Sequence, residues 1–294
     1  MFFRKQRAKR WTKKIISKNM QVTTPIDYKQ YIHKTDKITF TALRSIPLFD
    51  KVCSKMLSFV DDPQFQILDM SSKIRITEKQ VPRIYFMVQS IANKLGIDMP
   101  ELYLELDREP NAYTWGYKKA SITVNSGLLE CFEDDEIYAV LAHECGHIAC
   151  QHLLYQTIGD FILKGEKRGL RYIGLENTII DDILTTPLKL AFFNWQRSSE
   201  LSADRAAVIC CGSAEPVIET MMRLSGGSVH FDSEVNKELF IAQAKDYQEL
   251  MSDSKINKAL EFWLTKNRSH PFLAIRAYEA QQFANSDEFK NIVK

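Results

Sequence analysis

The chain has no long apolar run. No stretch of its 294 residues approaches the roughly 18 uninterrupted apolar residues of a membrane helix. The nearest, Ala191-Phe192-Phe193 and Ala206 to Cys211, are short. No apolar core of about 7–15 residues follows the basic N-terminus, so no secretory signal is expected. Cysteine is scarce and scattered: Cys53, Cys131, Cys145, Cys150, Cys210 and Cys211. In a chain of this length that is not a disulfide framework, and the six read as reduced thiols in the cytoplasm. An excess of one charge is missing too. The net charge is +2, and residues 1–20 hold eight Lys/Arg without an acid, so by subtraction the remainder is near −6. No broad basic field is left to attract nucleic acid.

What is present is the composition of a globular protein: 45% hydrophobic and 26% charged residues, enough for a sizeable core. The expected division is a basic tail, residues 1–20, and a single domain, residues 21–294. The tail interleaves its charges with Phe2, Phe3, Trp11, Ile15 and Ile16. Such a segment can lie peripherally on an anionic inner membrane surface. Its short apolar stripe equally suits a solvated tail.

Residues 21–75 carry Pro25, Pro47 and Pro63 between short helices and no recognisable chemistry. From Val81 the pattern clears. Pro82 suits a first helical turn, Ile84, Val88, Ile91 and Leu95 form a stripe at helical spacing, and Gly96 is a stop. After Pro100 the period becomes two, with Leu102, Leu104 and Leu106 alternating with Tyr103 and Glu105. Asn111 to Tyr117 and Ala120 to Asn125 read as two further strands around Lys118-Lys119. A small antiparallel sheet is therefore expected, broken by Ser126-Gly127, with Asp134 and Asp135 opening a long helix.

That helix contains His143-Glu144-Cys145-Gly146-His147. At about 100° per residue, His143 and His147 differ by about 40° around the axis, so two imidazoles can hold one cation. Glu144 lies beside them and falls on the apolar stripe of Ile137, Leu141 and Ile148. A carboxylate there costs free energy unless a partner or a metal is near. Its placement suits a general base acting on a water that the metal polarises. An amphipathic helix with incidental polar residues is the plainer alternative. Cys150, one turn beyond His147, reads as a small buried hydrophobe.

A third ligand must come from elsewhere. The extended motif with a third histidine needs Gly at 150 and His at 153, where this chain has Cys150 and Leu153. His152 projects nearly opposite His143 on a helical wheel and reads as structural or surface. Glu200 is the better candidate, with Asp204 four residues on, amid small residues that permit close helix packing. Glu200 would complete a His-His-Glu site, and Asp204 would accept from the free ring nitrogen of a ligand histidine. Two exposed helix carboxylates are the plain alternative. Residues 155–190 contain Gly159, Gly165, Gly169 and Gly174 and read as an irregular surface connection or a lid. A hinge at Gly226-Gly227 could bring His230 to the open metal position, although a lone loop histidine is usually polar surface.

These motifs in this order resemble the HtpX-type zinc peptidases, gluzincins that include the CaaX prenyl endopeptidases and BepA-like proteases. The resemblance runs from about Val81 to Ala277. It rests on Asn111-Ala112-Tyr113, Ser126 to Leu129, Asp135 to His147, Glu200 to Asp204, and Ser269-His270-Pro271 with Arg276. It implies an α+β, mainly helical zincin fold with one Zn2+ held by His143, His147 and Glu200. It implies Glu144 as the catalytic base, His270 as oxyanion stabiliser, and Asn111 and Ala112 on a strand that pairs with polypeptide substrate. Arg276 matches a basic position assigned here to the substrate side. The chain departs from HtpX in carrying a charged segment where that family has a membrane hairpin, and it lacks the repeats of BepA. The expected activity is an endopeptidase for exposed or unfolded segments. A catalytically weak, chaperone-like binding protein on the same scaffold is the alternative. Oligomeric state is not readable from the sequence.

Overall fold

The structure is a computed structural model that describes residues 24–46, 49, 53, 62–116, 119–164, 186–226, 234–252 and 272–294. The elements needed here are α1 (Lys34–Arg44), α2 (Asp62–Ser72), β1 (Ile74–Arg75), α3 (Pro82–Leu95), β2 (Glu101–Glu105), β3 (Ala112–Gly116) and β4 (Ala120–Asn125). They continue with α4 (Ser126–Cys131), α5 (Asp134–Ala149), α6 (Leu153–Lys164), α7 (Thr186–Cys211), α8 (Glu215–Leu224), α9 (Lys237–Ser252), α10 (Leu273–Asn285) and α11 (Asp287–Ile292). The mainly helical α+β expectation holds.

The centre is α5. Its start is fixed by a capping box between Glu133 and Glu136, and Asp134, Asp135 and Glu136 place negative charge at the positive end of the helix dipole. It is packed on several sides, by α3, α7, α8 and β3. Ile137, Leu141, Ala142 and Cys145 are consequently all fully buried. Preceding it, α3 begins with Pro82 and stops at Gly96, which takes the left-handed φ of +67° as expected of a helix-ending glycine.

The sheet has the order β1-β2-β4-β3. It is mixed, not wholly antiparallel: β1 with β2 and β3 with β4 run antiparallel, but β2 and β4 run parallel. The chain leaves β2, passes to the outside, and returns through β3 so that β4 fills the gap. Alternation sorts the faces. Leu102, Ala112, Ile122 and Val124 join the helical core. Tyr113, Trp115, Ser121 and Thr123 face α2 and the residue after it. There Asp69 accepts from Trp115 Nε1 (3.0 Å) and Ser121 Oγ (2.9 Å), and Lys73 Nζ donates to Tyr113 Oη (2.8 Å) and Thr123 Oγ1 (3.1 Å). The alternation stops at Glu105, and Leu106 is 91% exposed outside the strand.

The N-terminal segment is strapped across α7. Arg205 donates to the Tyr31 carbonyl (3.2 Å), and the His33 amide donates to Ser202 Oγ (3.0 Å). Among the described residues, no helix is long and apolar enough to cross a membrane.

Candidate active site

Helices α5 and α7 lie close together because Gly146 has no side chain. A Cβ there would sit 2.8 Å from the Ala206 Cβ and 3.0 Å from both the Cα and the carbonyl oxygen of Ala203. This approach brings Glu200 against the two histidines of the motif. His143 Nε2 and His147 Nε2 are 3.1 Å apart, and the Glu200 carboxylate oxygens lie 3.5 Å and 3.3 Å from them respectively. All three residues are buried. A tetrahedral cation with donors at about 2.0–2.1 Å requires donor separations of about 3.3–3.4 Å. The two ring nitrogens and the Glu200 carboxylate, one oxygen of which faces each ring, form a donor set that can hold such a cation.

The surroundings fit one as well. Three buried carboxylates, Glu144, Glu200 and Asp204, share the site with one buried guanidinium, Arg276, leaving an excess of negative charge. Asp204 Oδ1 lies 2.9 Å from His143 Nδ1, so the ring donates there and turns Nε2 toward the other ligand atoms. Burial opposes charge on His143, but the Asp204 and Glu200 carboxylates outweigh it and raise the imidazole to about 9. At His147 burial prevails over Glu200, aided by the charge of His143, and lowers the ring to about 4. Burial raises the Asp204 carboxyl, but the Arg276 charge and its hydrogen bonds hold it below the usual range.

Arg276, expected on the substrate side, is directed inward. Nε donates to Asp204 Oδ2 (2.8 Å), a terminal nitrogen donates to Asp204 Oδ1 (2.7 Å), and the other lies 2.8 Å from Glu200 Oε2. It clamps the two carboxylates of α7 while also lining the cleft.

Glu144 is held by a partner that sequence reading missed: Thr114 Oγ1 donates to Glu144 Oε2 at 2.5 Å. Thr114 stands on β3 two residues after Ala112, on the face toward α5. The period-two pattern was its only signal, and one hydroxyl on a strand carries no further meaning in sequence. Glu144 and His143 border a cleft together with Asn111, Ala112, Asp204 and Arg276. Its remaining wall is mostly apolar, with Leu128, Val140, Val217, Met221 and Leu224.

His152 is not a surface residue. It is 3% exposed, and its Nδ1 lies 3.1 Å from His147 Nδ1. The helical projection fails because α5 ends at Ala149 and Gln151 takes φ +62°, turning the chain back. Cys150 is buried and its thiol is pushed up by burial, as befits a packing residue. His270, His230, Gly227 and the basic tail lie outside the described residues.

Residues 78–284 match the family described as Peptidase family M48. The chain belongs to peptidase family M48. It is therefore a metallopeptidase of the HtpX-like kind, and its His-His-Glu cluster is the zincin arrangement built on H-E-x-x-H. Among M48 relatives, it is 27% identical over 271 residues to the plastoglobule-localized metallopeptidase 48 of Arabidopsis thaliana, covering 92% of this chain and 76% of that one. It is 26% identical over 177 residues to an HtpX protease homolog of Trichormus variabilis, covering 52% of this chain and 60% of the relative. Over 91 residues it is 36% identical to an HtpX homolog of Tropheryma whipplei, which is 30% of this chain and 31% of that one.

Proposed function

We propose that this M48 peptidase is a zinc-dependent endopeptidase acting on exposed or unfolded polypeptide segments. The observation that carries the reading is the convergence of His143, His147 and Glu200, with ligating atoms within 4.8 Å of one another, beside Glu144 and the cleft. Zinc is the metal that an all-nitrogen-and-oxygen tetrahedral set of two histidines and a glutamate suits, and when bound it would polarise the attacking water and the scissile carbonyl. Glu144, oriented by Thr114, takes the proton of the attacking water and delivers it to the leaving amine. His270 is assigned to the oxyanion of the tetrahedral intermediate, on the family pattern.

Substrate is held along β3, an outer strand of the sheet. Asn111 exchanges hydrogen bonds with Asn125, through its carbonyl to the Asn125 amide (3.1 Å) and through its amide to the Asn125 side chain (2.9 Å). The antiparallel alternation then points the amide and carbonyl of Ala112 away from β4, and Ala112 lines the cleft, where an extended peptide would add as a further strand. The apolar cleft wall takes one bulky apolar side chain. Such side chains are usually buried in folded proteins and become available in unfolded segments, which supports the substrate class.

The test is zinc content measured alongside cleavage of proteome-derived peptides. Glu144→Gln keeps stoichiometric zinc and loses hydrolysis by at least about 1,000-fold, as expected when the base is removed. His270→Ala keeps zinc and loses a smaller factor in kcat. Undiminished cleavage by Glu144→Gln sinks the mechanism. Cleavage sites without apolar enrichment sink the proposed substrate class.

A further inference from the structure

A second chain of hydrogen bonds reaches the metal site from outside the family-matched residues. Asp36, on α1, is 1% exposed. It accepts from Ser202 Oγ (2.6 Å) and Trp195 Nε1 (3.1 Å), both on α7, and its Oδ2 lies 2.9 Å from His152 Nε2. The other nitrogen of His152 faces His147 Nδ1 at 3.1 Å. An ionised carboxylate only accepts, so Asp36 calls for the proton of His152 on Nε2 and leaves Nδ1 as an acceptor. Nδ1 of His152 then receives the N–H of His147, which frees His147 Nε2 as a donor to a metal. Burial raises the Asp36 carboxyl, but the His152, Ser202 and Trp195 hydrogen bonds bring it below its usual value. The Gln156 amide also lies 2.9 Å from His147 Nδ1, and a half-turn presents its oxygen as a further acceptor.

We propose that Asp36 and His152 are positioning residues for the metal centre, fixing the tautomer and ring orientation of His147 as Asp204 does for His143. The N-terminal strap is thereby part of the metal site. The two histidines are locked by different routes: His143 directly by a carboxylate of the neighbouring helix, His147 through an intervening imidazole. The proposal rests on His147 being a zinc ligand.

The experiment is zinc affinity by chelator competition, with metal-free melting temperature recorded for each variant of the full chain. Asp36→Asn preserves shape but can present an amide N–H to His152. That reverses the tautomer and sets two N–H groups against each other at His147. His152→Leu removes the acceptor, while His152→Gln retains one. Asp36→Asn and His152→Leu weaken zinc binding about 10–100-fold, the range for the supporting partners of metal ligands. The double variant is little worse than either single one, because the two act in series. His152→Gln recovers part of the loss. A purely structural role lowers the melting temperature without this pattern. Zinc affinity within about twofold of wild type in folded Asp36→Asn overturns the proposal. If Asp36→Asn does not fold, equal affinities of His152→Gln and His152→Leu overturn it. Absence of zinc binding by the wild type overturns the underlying reading instead.

Discussion

At the scale of single residues, the site depends on groups that aim other groups. Thr114 holds one oxygen of Glu144, leaving the carboxylate one less way to rotate. Thr114→Val keeps the shape and removes the hydroxyl. We expect kcat to fall by about tenfold, with KM and zinc content nearly unchanged, since misorientation of a base reduces rate without removing binding. Steady-state kinetics on one cleaved peptide check this, and an unchanged kcat removes Thr114 from the mechanism. The residues legible in sequence were those whose chemistry is encoded by local spacing: His143, Glu144 and His147 at one helical turn, Glu200 and Asp204 at another. Thr114, Asp36 and His152 were not legible as site residues. Thr114 and Asp36 take their roles from contacts 30 and 116 residues away, which no local period records, and His152 takes its role from the chain reversal at Gln151, which helical projection does not foresee. Arg276 was found, but its direction was not, because a matched position does not say which way a long side chain points.

At the scale of elements, the metal site is a property of the distance between α5 and α7. Gly146 sets that distance against Ala203 and Ala206. Gly146→Ala adds a methyl group where backbone and side chain already stand at contact, so the helices must separate. Overpacking of this kind costs about 1–3 kcal/mol. The larger effect is expected on zinc affinity, about tenfold or more, because Glu200 moves with α7 while His143 and His147 stay with α5. Urea unfolding and chelator competition measure the two separately, and unaltered zinc affinity shows that the helices accommodate the methyl group. The sequence pattern revealed α3, α5 and strands β2 to β4, but neither β1, which falls in the stretch read as short helices, nor the order in which strands pair. Period two sorts side chains to faces and is silent about neighbours. The parallel pairing of β2 with β4 depends on the excursion between Glu105 and Ala112, which has no pattern of its own.

At the scale of the whole molecule, the site joins parts that otherwise touch through ordinary packing: α5, α7 and α10 through Arg276, and α1 through Asp36. A ligand that binds only the folded state stabilises it by mass action. Free zinc about 1,000-fold above its dissociation constant contributes about 4 kcal/mol. For a domain of this size, removal by a chelator should lower the melting temperature by on the order of 10 °C. Differential scanning fluorimetry with and without EDTA, then with added zinc, tests this. A melting temperature indifferent to chelator argues that the metal is not part of the folded state's cohesion.

The reach of the site along the chain has a consequence for synthesis. Asp36 leaves the ribosome before the catalytic motif, and Arg276 leaves more than 100 residues after it. Until Arg276 is available, Glu200 and Asp204 lack their buried guanidinium counter-charge, and the site is incomplete. A growing chain is therefore expected to be inert as a protease at the very time when it is itself unfolded and exposed. Competence arrives only once Arg276 has been made, and the enzyme is spared from being its own first substrate.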